Sequence, residues 1–184
     1  MARPARPDLA MNGGYRCAVI DPPWQERGAG KIKRGADRHY KLMSGAEINE
    51  LLWDEIAPKL APDCHLWLWV TNNHLEEGLE VVRSFGFRYV TNLAWVKDRI
   101  GLGQYLRGQH ELCLFGVRGQ AMMPEFRNVP SVVFCPKGEH SQKPQLAYDA
   151  IKHVSPGPRL DVFARERRPG WDAWGDGIRE SLFA

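Results

Sequence analysis

The stretch "CAVIDPPWQERGAG", residues 17–30, joins a short apolar run to an aspartate, two prolines and a glycine-bearing segment. The apolar run is typical of a buried strand, and proline cannot continue a strand ladder because it has no backbone N–H. We therefore predict a first strand at about 15–20 that ends at Asp21. Open α/β sheets bind ligands at the carboxyl ends of their strands, so Asp21 marks the predicted functional edge.

Elements of alternating type follow this strand. Ser44 begins a helix with a capping box to Glu47, and apolar residues recur at helical spacing as far as Leu60. The run "CHLWLWV", residues 64–70, is typical of a central strand that is buried on both faces. This alternation predicts a three-layer α/β fold. Further strands are predicted at 87–97, 110–119, 131–136 and 159–164, the last being the final strand, and helices at 73–85 (stopped by Gly86), 143–154 and in the tail.

Length and composition are those of one soluble domain, since the 184 residues are 43% hydrophobic and 26% charged. We predict a flexible basic arm at 1–14 and a single domain at 15–184, with mobile loops at about 25–43 and 98–109. The sequence has no apolar run near the roughly 20 residues of a membrane span. Its start has no apolar region typical of a secretion signal. These patterns predict a cytoplasmic protein without a membrane partner.

Charge and cysteine usage narrow the chemistry. The net charge of +3 neither requires nor excludes a nucleic-acid partner. The four cysteines are far apart and lie among apolar residues, which favours reduced core cysteines over a disulfide or zinc. The histidines and cysteines do not show the spacing of metal ligands, so we predict that the protein needs no metal. The cysteines are Cys17, Cys64, Cys113 and Cys135.

The tetrapeptide Asp21-Pro22-Pro23-Trp24 suits a reaction at an aromatic amine. The exocyclic amine of adenine is a poor nucleophile because its lone pair is delocalised into the ring. Acceptors for its two protons, here the Asp21 carboxylate and the Pro22 carbonyl, shift the nitrogen toward sp3 character. Trp24 can stack on an extruded base. The same residues are also compatible with a structural turn in which Asp21 caps the backbone and Trp24 packs on the core.

The segment "VIDPPW" resembles the catalytic motif of the MT-A70 family, which are S-adenosylmethionine-dependent adenine N6-methyltransferases. Further blocks resemble family segments in family order, from about residue 15 to 178. They are "HYKLMS", "LWLWVTNN", "AWVK", "GQYLRGQHELCLFGVRG", "HSQKPQLAYDAI" and "RLDVFARERRPGWDAWGDG". The resemblance implies a three-layer Rossmann-like methyltransferase fold of permuted order, in which the catalytic motif precedes the cofactor strand. As in that family, the closing strand is not followed by a G-x-G turn.

The resemblance also implies roles for individual residues. Asp21, Pro22, Pro23 and Trp24 are the implied catalytic residues, and Asp21 is also expected to contact the cofactor. Tyr40 is expected to flank the adenine together with Trp24, while Lys97, Arg107 and Glu111 position the target strand, with solvated loop charge as the alternative. Lys143 and Arg165 are expected to bind the cofactor. So are Asp176 and Gly177, although Asp176 replaces an asparagine of the family and thereby loses an amide donor.

The predicted function is transfer of a methyl group from S-adenosylmethionine to the N6 amine of adenine in nucleic acid. DNA is favoured over RNA because the chain is compact and has no zinc-finger RNA-binding arm. The alternatives are an RNA adenine N6-methyltransferase, a non-catalytic nucleic-acid-binding partner subunit and a small-molecule methyltransferase. Non-catalytic partners of this family lose the catalytic tetrapeptide, which this chain keeps. A homodimer is compatible with the family, which tends to pair its catalytic domains.

Overall fold

The computed structural model describes residues 13–25, 42–103, 105–120, 122–124, 126–138 and 142–175. Within these residues the chain forms seven strands and three α-helices. The strands are β1 (Tyr15–Ile20), β2 (Leu60–Val70), β3 (Arg88–Val96), β4 (His110–Arg118), β5 (Val132–Phe134), β6 (Arg159–Val162) and β7 (Asp172–Trp174). The helices are α1 (Gly45–Leu51), α2 (Leu75–Ser84) and α3 (Gln145–Val154).

The described strands form one sheet in the order β5-β3-β4-β2-β1-β6-β7. Strand β4 is antiparallel to both of its neighbours, and every other pair is parallel. The beginning of β4 therefore lies at the same edge of the sheet as the carboxyl ends of the other strands. This edge is where a ligand site is expected in an open α/β sheet.

Helices cover both faces of the sheet. Ile48 of α1 and Val82 of α2 pack in one buried cluster with Leu68 of β2. Ile151 of α3 packs in a second cluster with Trp69, whose side chain points to the opposite face of β2. The predicted three-layer α/β fold is thus confirmed, and the run 64–70 is the central strand buried on both faces.

The start of α1 and the end of α2 have the capping residues that the sequence predicts. Ser44 and Glu47 form both hydrogen bonds of the capping box at the start of α1. Gly86 follows α2 with a φ of +86°, in the left-handed region that favours glycine at a helix stop.

Among the described residues, no helix is long and apolar enough to span a bilayer. Three of the cysteines are buried and the fourth is half-buried, and all are free thiols.

Two predictions of secondary structure are wrong. Leu60 does not end the first helix but begins β2, because α1 gives way to a π turn over 52–56 and a 3-10 turn at Ala57–Lys59. Pro58 lies in that last turn, and its missing N–H ends the helical ladder. The segment 159–164 does not hold the last strand, because β7 follows it at Asp172–Trp174. Residues 176–184 of the tail, where a short helix is predicted, lie outside the described residues. Strand β7 pairs in parallel with β6, which gains a neighbour on its outer edge.

Candidate active site

Four charged residues meet at the carboxyl edge of the sheet. Asp21 directly follows β1, Lys97 directly follows β3, and Glu111 is the second residue of β4. Lys143 precedes Pro144, which caps the start of α3. Glu111 lies near the start of β4, whereas Asp21 and Lys97 follow the ends of their strands. The three residues meet because β4 runs antiparallel to its neighbours. We call these four residues the charged quartet.

The charged quartet forms a chain of alternating charge. The Lys143 Nζ atom lies 2.7 Å from Asp21 Oδ1 and 2.8 Å from Asp21 Oδ2. The same ammonium lies 3.4 Å from Glu111 Oε2, and the other oxygen of Glu111 accepts a 2.5 Å hydrogen bond from Lys97 Nζ. Each carboxylate therefore faces an ammonium, and the ammonium of Lys143 is shared by two carboxylates.

Burial strengthens these contacts. The side chain of Lys143 is 9% exposed, whereas that of Asp21 is 19% exposed and retains an opening to solvent. Burial alone would lower the pKa of Lys143, but the charges of Asp21 and Glu111 outweigh it and the pKa is raised. Burial would likewise raise the pKa of Glu111, yet the charges of Lys143 and Lys97 hold it below its usual value. Lys143 and Glu111 are both charged at neutral pH as a result.

Two tryptophans support the lysines of the quartet. Lys143 Nζ lies 5.5 Å from the ring centroid of Trp69, and Lys97 Nζ lies 4.8 Å from that of Trp95. The two rings meet edge to face at 6.3 Å, and both are almost fully buried. Cation–π attraction thus holds each ammonium against the hydrophobic core beneath the site.

The Asp-Pro-Pro-Trp segment leaves the sheet through a tight turn. The Trp24 N–H donates to the Pro22 carbonyl at 2.9 Å, and the Pro23 carbonyl accepts from Met43 N–H at 2.8 Å. A carbonyl oxygen has two lone pairs, so Pro22 keeps one acceptor position for a ligand. The Trp24 side chain is 8% exposed, and its indole N–H donates to the Trp69 carbonyl at 2.9 Å. The contact of Trp24 with a base stays a prediction.

The sequence interpretation missed His74, which lies against this turn. Its ring stacks on that of Trp24, with centroids 5.4 Å apart and planes inclined by 20°. Its two nitrogens lie 2.8 Å from Thr71 Oγ1 and 2.9 Å from the Gln25 carbonyl. His74 therefore links the end of β2 to the segment that follows Trp24. No sequence pattern distinguishes this histidine from a surface residue at the start of a helix.

A small cavity beside Asp21 contains further groups that the sequence did not single out. Asp161, inside β6, accepts a 3.0 Å hydrogen bond from the Tyr148 hydroxyl of α3. Arg168 Cζ lies 4.1 Å from the ring centroid of Tyr148. Burial raises the pKa of Asp161 to about 7, although Tyr148 and Arg168 counteract it. The available signal was an aspartate within the otherwise apolar strand "LDVF".

The chemistry of this cavity fits the cofactor that the resemblance implies. S-adenosylmethionine carries a sulfonium, an ammonium and a carboxylate. The lining includes the carboxylates of Asp21 and Asp161, which suit the cationic centres. It also includes Lys143 and Arg165, whose cations suit a carboxylate or ribose oxygens. Anionic and cationic groups thus face one space, as a zwitterionic ligand requires.

Of the remaining predicted site residues, Arg107 is the one that the structure describes, and it does not join the charged quartet. Arg107 is exposed on the loop between β3 and β4, where its Nε donates to the Gly101 carbonyl at 2.6 Å. Its contact with a target strand stays a prediction. Tyr40, Asp176 and Gly177 lie outside the described residues, as does most of the predicted loop at 25–43. The described part of the chain contains no group of three or more His, Cys, Asp or Glu arranged to hold a metal.

Comparison with known proteins supports the resemblance to the MT-A70 family. The MT-A70 family model matches residues 15–177. The type II methyltransferase M.MunI of Mycoplasma sp is 28% identical over 179 residues, covering 88% of this chain and 76% of M.MunI. The human N(6)-adenosine-methyltransferase catalytic subunit is 29% identical over 185 residues, covering 93% of this chain and 30% of that subunit. A probable N(6)-adenosine-methyltransferase of rice is 29% identical over 178 residues, covering 90% of this chain and 23% of the rice protein.

The chain thus spans most of the bacterial relative but less than a third of the human and rice proteins. The match to the family model extends from the first strand, through the charged quartet, to the residues that follow β7. The blocks that resemble family segments in the sequence are the same ones that supply Asp21, Lys97, Glu111 and Lys143 to one edge of the sheet. This chain belongs to the MT-A70 family.

Proposed function

We propose that this chain transfers a methyl group from S-adenosylmethionine to the N6 amine of adenine in DNA. The observation that carries the proposal is the position of Asp21. Its carboxylate lies at the carboxyl edge of the central strands, next to a cavity with both anionic and cationic groups. Two prolines follow it, and the Pro22 carbonyl, which accepts one hydrogen bond from Trp24 N–H, keeps a second lone pair beside the carboxylate.

Asp21 supplies the acceptor that the target amine needs. A carboxylate is an acceptor-only group, so it binds a proton of the amine and not its lone pair. The second acceptor is the free lone pair of the Pro22 carbonyl. With both protons bound, the nitrogen approaches sp3 geometry and its lone pair becomes available for attack. The contribution of the protein is thus orientation and electrostatic stabilisation.

The methyl group reaches the nitrogen in one displacement step. S-adenosylmethionine supplies the electrophile, a methyl group on a sulfonium centre. The nitrogen lone pair forms the new N–C bond while the C–S bond breaks, and its electron pair stays on sulfur. The nitrogen becomes cationic and then loses a proton. Asp21, with 19% of its side chain exposed, stabilises that cation and lies on a route for the proton to solvent.

The comparisons favour DNA as the substrate. M.MunI, named a type II methyltransferase, is matched over 76% of its length. The relatives named as N(6)-adenosine-methyltransferases of human and rice are matched over 30% and 23% of theirs. An RNA substrate is the second candidate, since those relatives share the same domain. Pairing of two copies of the chain and a cytoplasmic location remain predictions.

The test offers both nucleic acids to one enzyme preparation. Purified protein is incubated with methyl-labelled S-adenosylmethionine and with DNA and RNA oligomers of the same base sequence, in single- and double-stranded form. Matched oligomers carry hypoxanthine in place of adenine and have no amine at that position. We expect label in N6-methyladenine from the adenine-containing DNA alone. Label in RNA only would reassign the substrate, and the absence of label from all of the oligomers would contradict the proposal.

A further inference from the structure

The ammonium of Lys143 occupies the acceptor that the target amine requires. Its Nζ atom lies 2.7 and 2.8 Å from the two oxygens of Asp21 and 3.4 Å from Glu111. An ammonium has three donors, and these three oxygens account for them. Paired in this way, the Asp21 carboxylate is a weaker acceptor for a neutral amine, because its charge is already compensated.

The same pair limits the space beside Asp21. The cavity lined by Asp21, Lys143, Asp161 and Arg165 measures about 20 Å³. Such a volume holds about one water molecule. An amino-acid-sized group therefore does not fit while the lining side chains, Lys143 among them, keep these positions.

We infer that Lys143 couples the two substrates of the reaction, by releasing Asp21 when a carboxylate-bearing cofactor binds. This inference rests on the proposed function. In the cofactor-free chain the ammonium stays on Asp21 and opposes amine binding. A ligand carboxylate between Lys143 and Arg165 provides an alternative partner. Cofactor binding therefore strengthens adenine binding, and the two substrates bind in a preferred order.

Glu111 provides a second carboxylate partner for the Lys143 ammonium when the ammonium moves from Asp21 to a ligand carboxylate. We call this contact the intermediate position. Glu111 contacts Lys143 at 3.4 Å and is itself held by Lys97 at 2.5 Å. Lys143 can thus leave Asp21 without losing every anionic partner, and such a loss is the main cost of moving a buried charge. Glu111 is in this account a positioning residue, because it acts on Asp21 through Lys143.

The coupling is measured as a ratio of two dissociation constants. A fluorescent single-stranded DNA oligomer with one adenine is titrated with protein alone and with protein saturated with S-adenosylhomocysteine. That product analogue keeps the carboxylate but has no methyl group to transfer. Saturation is verified by direct titration for each variant. For the unmodified protein we expect binding at least about five-fold tighter with the analogue, the lower end of ordinary coupling between two sites.

Two variants move the ratio in opposite directions. Lys143→Met removes the ammonium at nearly constant volume, so we expect tighter oligomer binding without the analogue and a ratio below about two. Glu111→Gln weakens the intermediate position, so we expect a larger ratio. Any direct contact of Glu111 with the oligomer cancels in the ratio. Lys59→Met, at the opposite edge of the sheet with a side chain 41% exposed, is the matched control and should keep the original ratio.

The outcomes separate this inference from the proposed function. Methyl transfer without coupling in the unmodified protein, or coupling that Lys143→Met leaves unchanged, overturns the role of Lys143 and leaves the methyltransferase assignment intact. Failure to methylate any oligomer overturns the proposed function instead. If Lys143→Met does not fold, Glu111→Gln still tests the inference. A ratio of dissociation constants for Glu111→Gln at or below that of the unmodified protein contradicts it.

Discussion

Lys143 donates to both carboxylate oxygens of Asp21, at 2.7 and 2.8 Å, although 122 residues separate them in the chain. The pair lines the cavity beside the end of β1, and it places a cation where the proposed reaction develops positive charge. The proposed chemistry requires that this ion pair open, because Asp21 must accept a hydrogen bond from the target amine.

Asp21→Asn tests the role of the carboxylate with little change of shape. We expect methyl transfer to fall by about 100-fold or more, because a preorganised charge at the reacting amine is lost. Stability should fall by about 1–2 kcal/mol, less than for a fully buried pair, since Asp21 is partly exposed and Lys143 keeps Glu111. Initial rates and urea unfolding measure the two effects. Asp54→Asn, an exposed control, should change neither, and near-native transfer by Asp21→Asn would exclude the assignment.

A double-mutant cycle tests the strength of the Lys97–Glu111 pair. Both side chains are mostly buried, at 14% and 16% exposure. For Lys97→Met, Glu111→Gln and the double variant we expect a coupling free energy of about 1–3 kcal/mol in urea unfolding. The exposed pair Lys59–Glu55, at 4.0 Å, serves as the comparison and should give less than about 0.5 kcal/mol. Equal couplings in the two cycles would show that burial does not strengthen the site pair.

His65 predicts a pH dependence of stability. Burial, assisted by the charge of Arg16, lowers the pKa of His65 to about 4, whereas the unfolded chain titrates near 6.5. The unfolded state therefore binds more protons between these values, so stability is fully present above pH 6.5 and is lost as the pH falls toward 4. The total effect is about 3 kcal/mol.

Comparison with His65→Gln isolates this contribution, because glutamine does not titrate and can still reach Ser155, which lies 2.9 Å from His65 Nδ1. Asp161, whose pKa is raised to about 7, changes stability in the opposite sense and is common to both proteins. Urea unfolding at pH 4.5 and pH 7 gives the difference. We expect the fall in stability at low pH to be smaller in His65→Gln, and an identical fall in both proteins would refute the prediction.

Trp24→Phe tests how the turn after Asp21 is held. The change keeps an aromatic ring but removes the indole donor to the buried Trp69 carbonyl. We expect a loss of about 1–3 kcal/mol in the free energy of unfolding. Trp53→Phe removes a similar bond, 3.2 Å to the Ser84 carbonyl, at a half-buried position and should cost less. A Trp24→Phe variant as stable as the unmodified protein would contradict the role of this bond in holding the turn.

The sequence was most informative where a local pattern and a local structure share the same cause. The apolar run before Asp21 predicts β1 because consecutive apolar side chains by themselves favour a strand that is covered on its faces. The capping box at Ser44 predicts the start of α1 because both partners lie within one turn. The prediction for Leu60 was wrong since helical spacing persisted beyond Pro58, where the backbone could no longer follow it.

Local sequence patterns could not predict contacts between residues that are far apart in the chain. The segment 159–164 was predicted to hold the last strand, but β7 forms after it because the edge of β6 offers backbone partners that no local pattern reveals. Asp161, Tyr148 and His74 acquire their roles only from neighbours in other elements. Their residue types are compatible with ordinary core or surface positions.

The sequence by itself determined the alternation of strands and helices, the aspartate at the end of the first strand and, through the resemblance, the residues expected to bind cofactor and substrate. Only the tertiary structure decided that Asp21, Lys143, Glu111 and Lys97 form one chain of alternating charge. The physical reason is the antiparallel direction of β4, which brings the start of one strand to the ends of the others. Burial then makes each of these charges depend on its neighbour, and a sequence does not state which charges become neighbours.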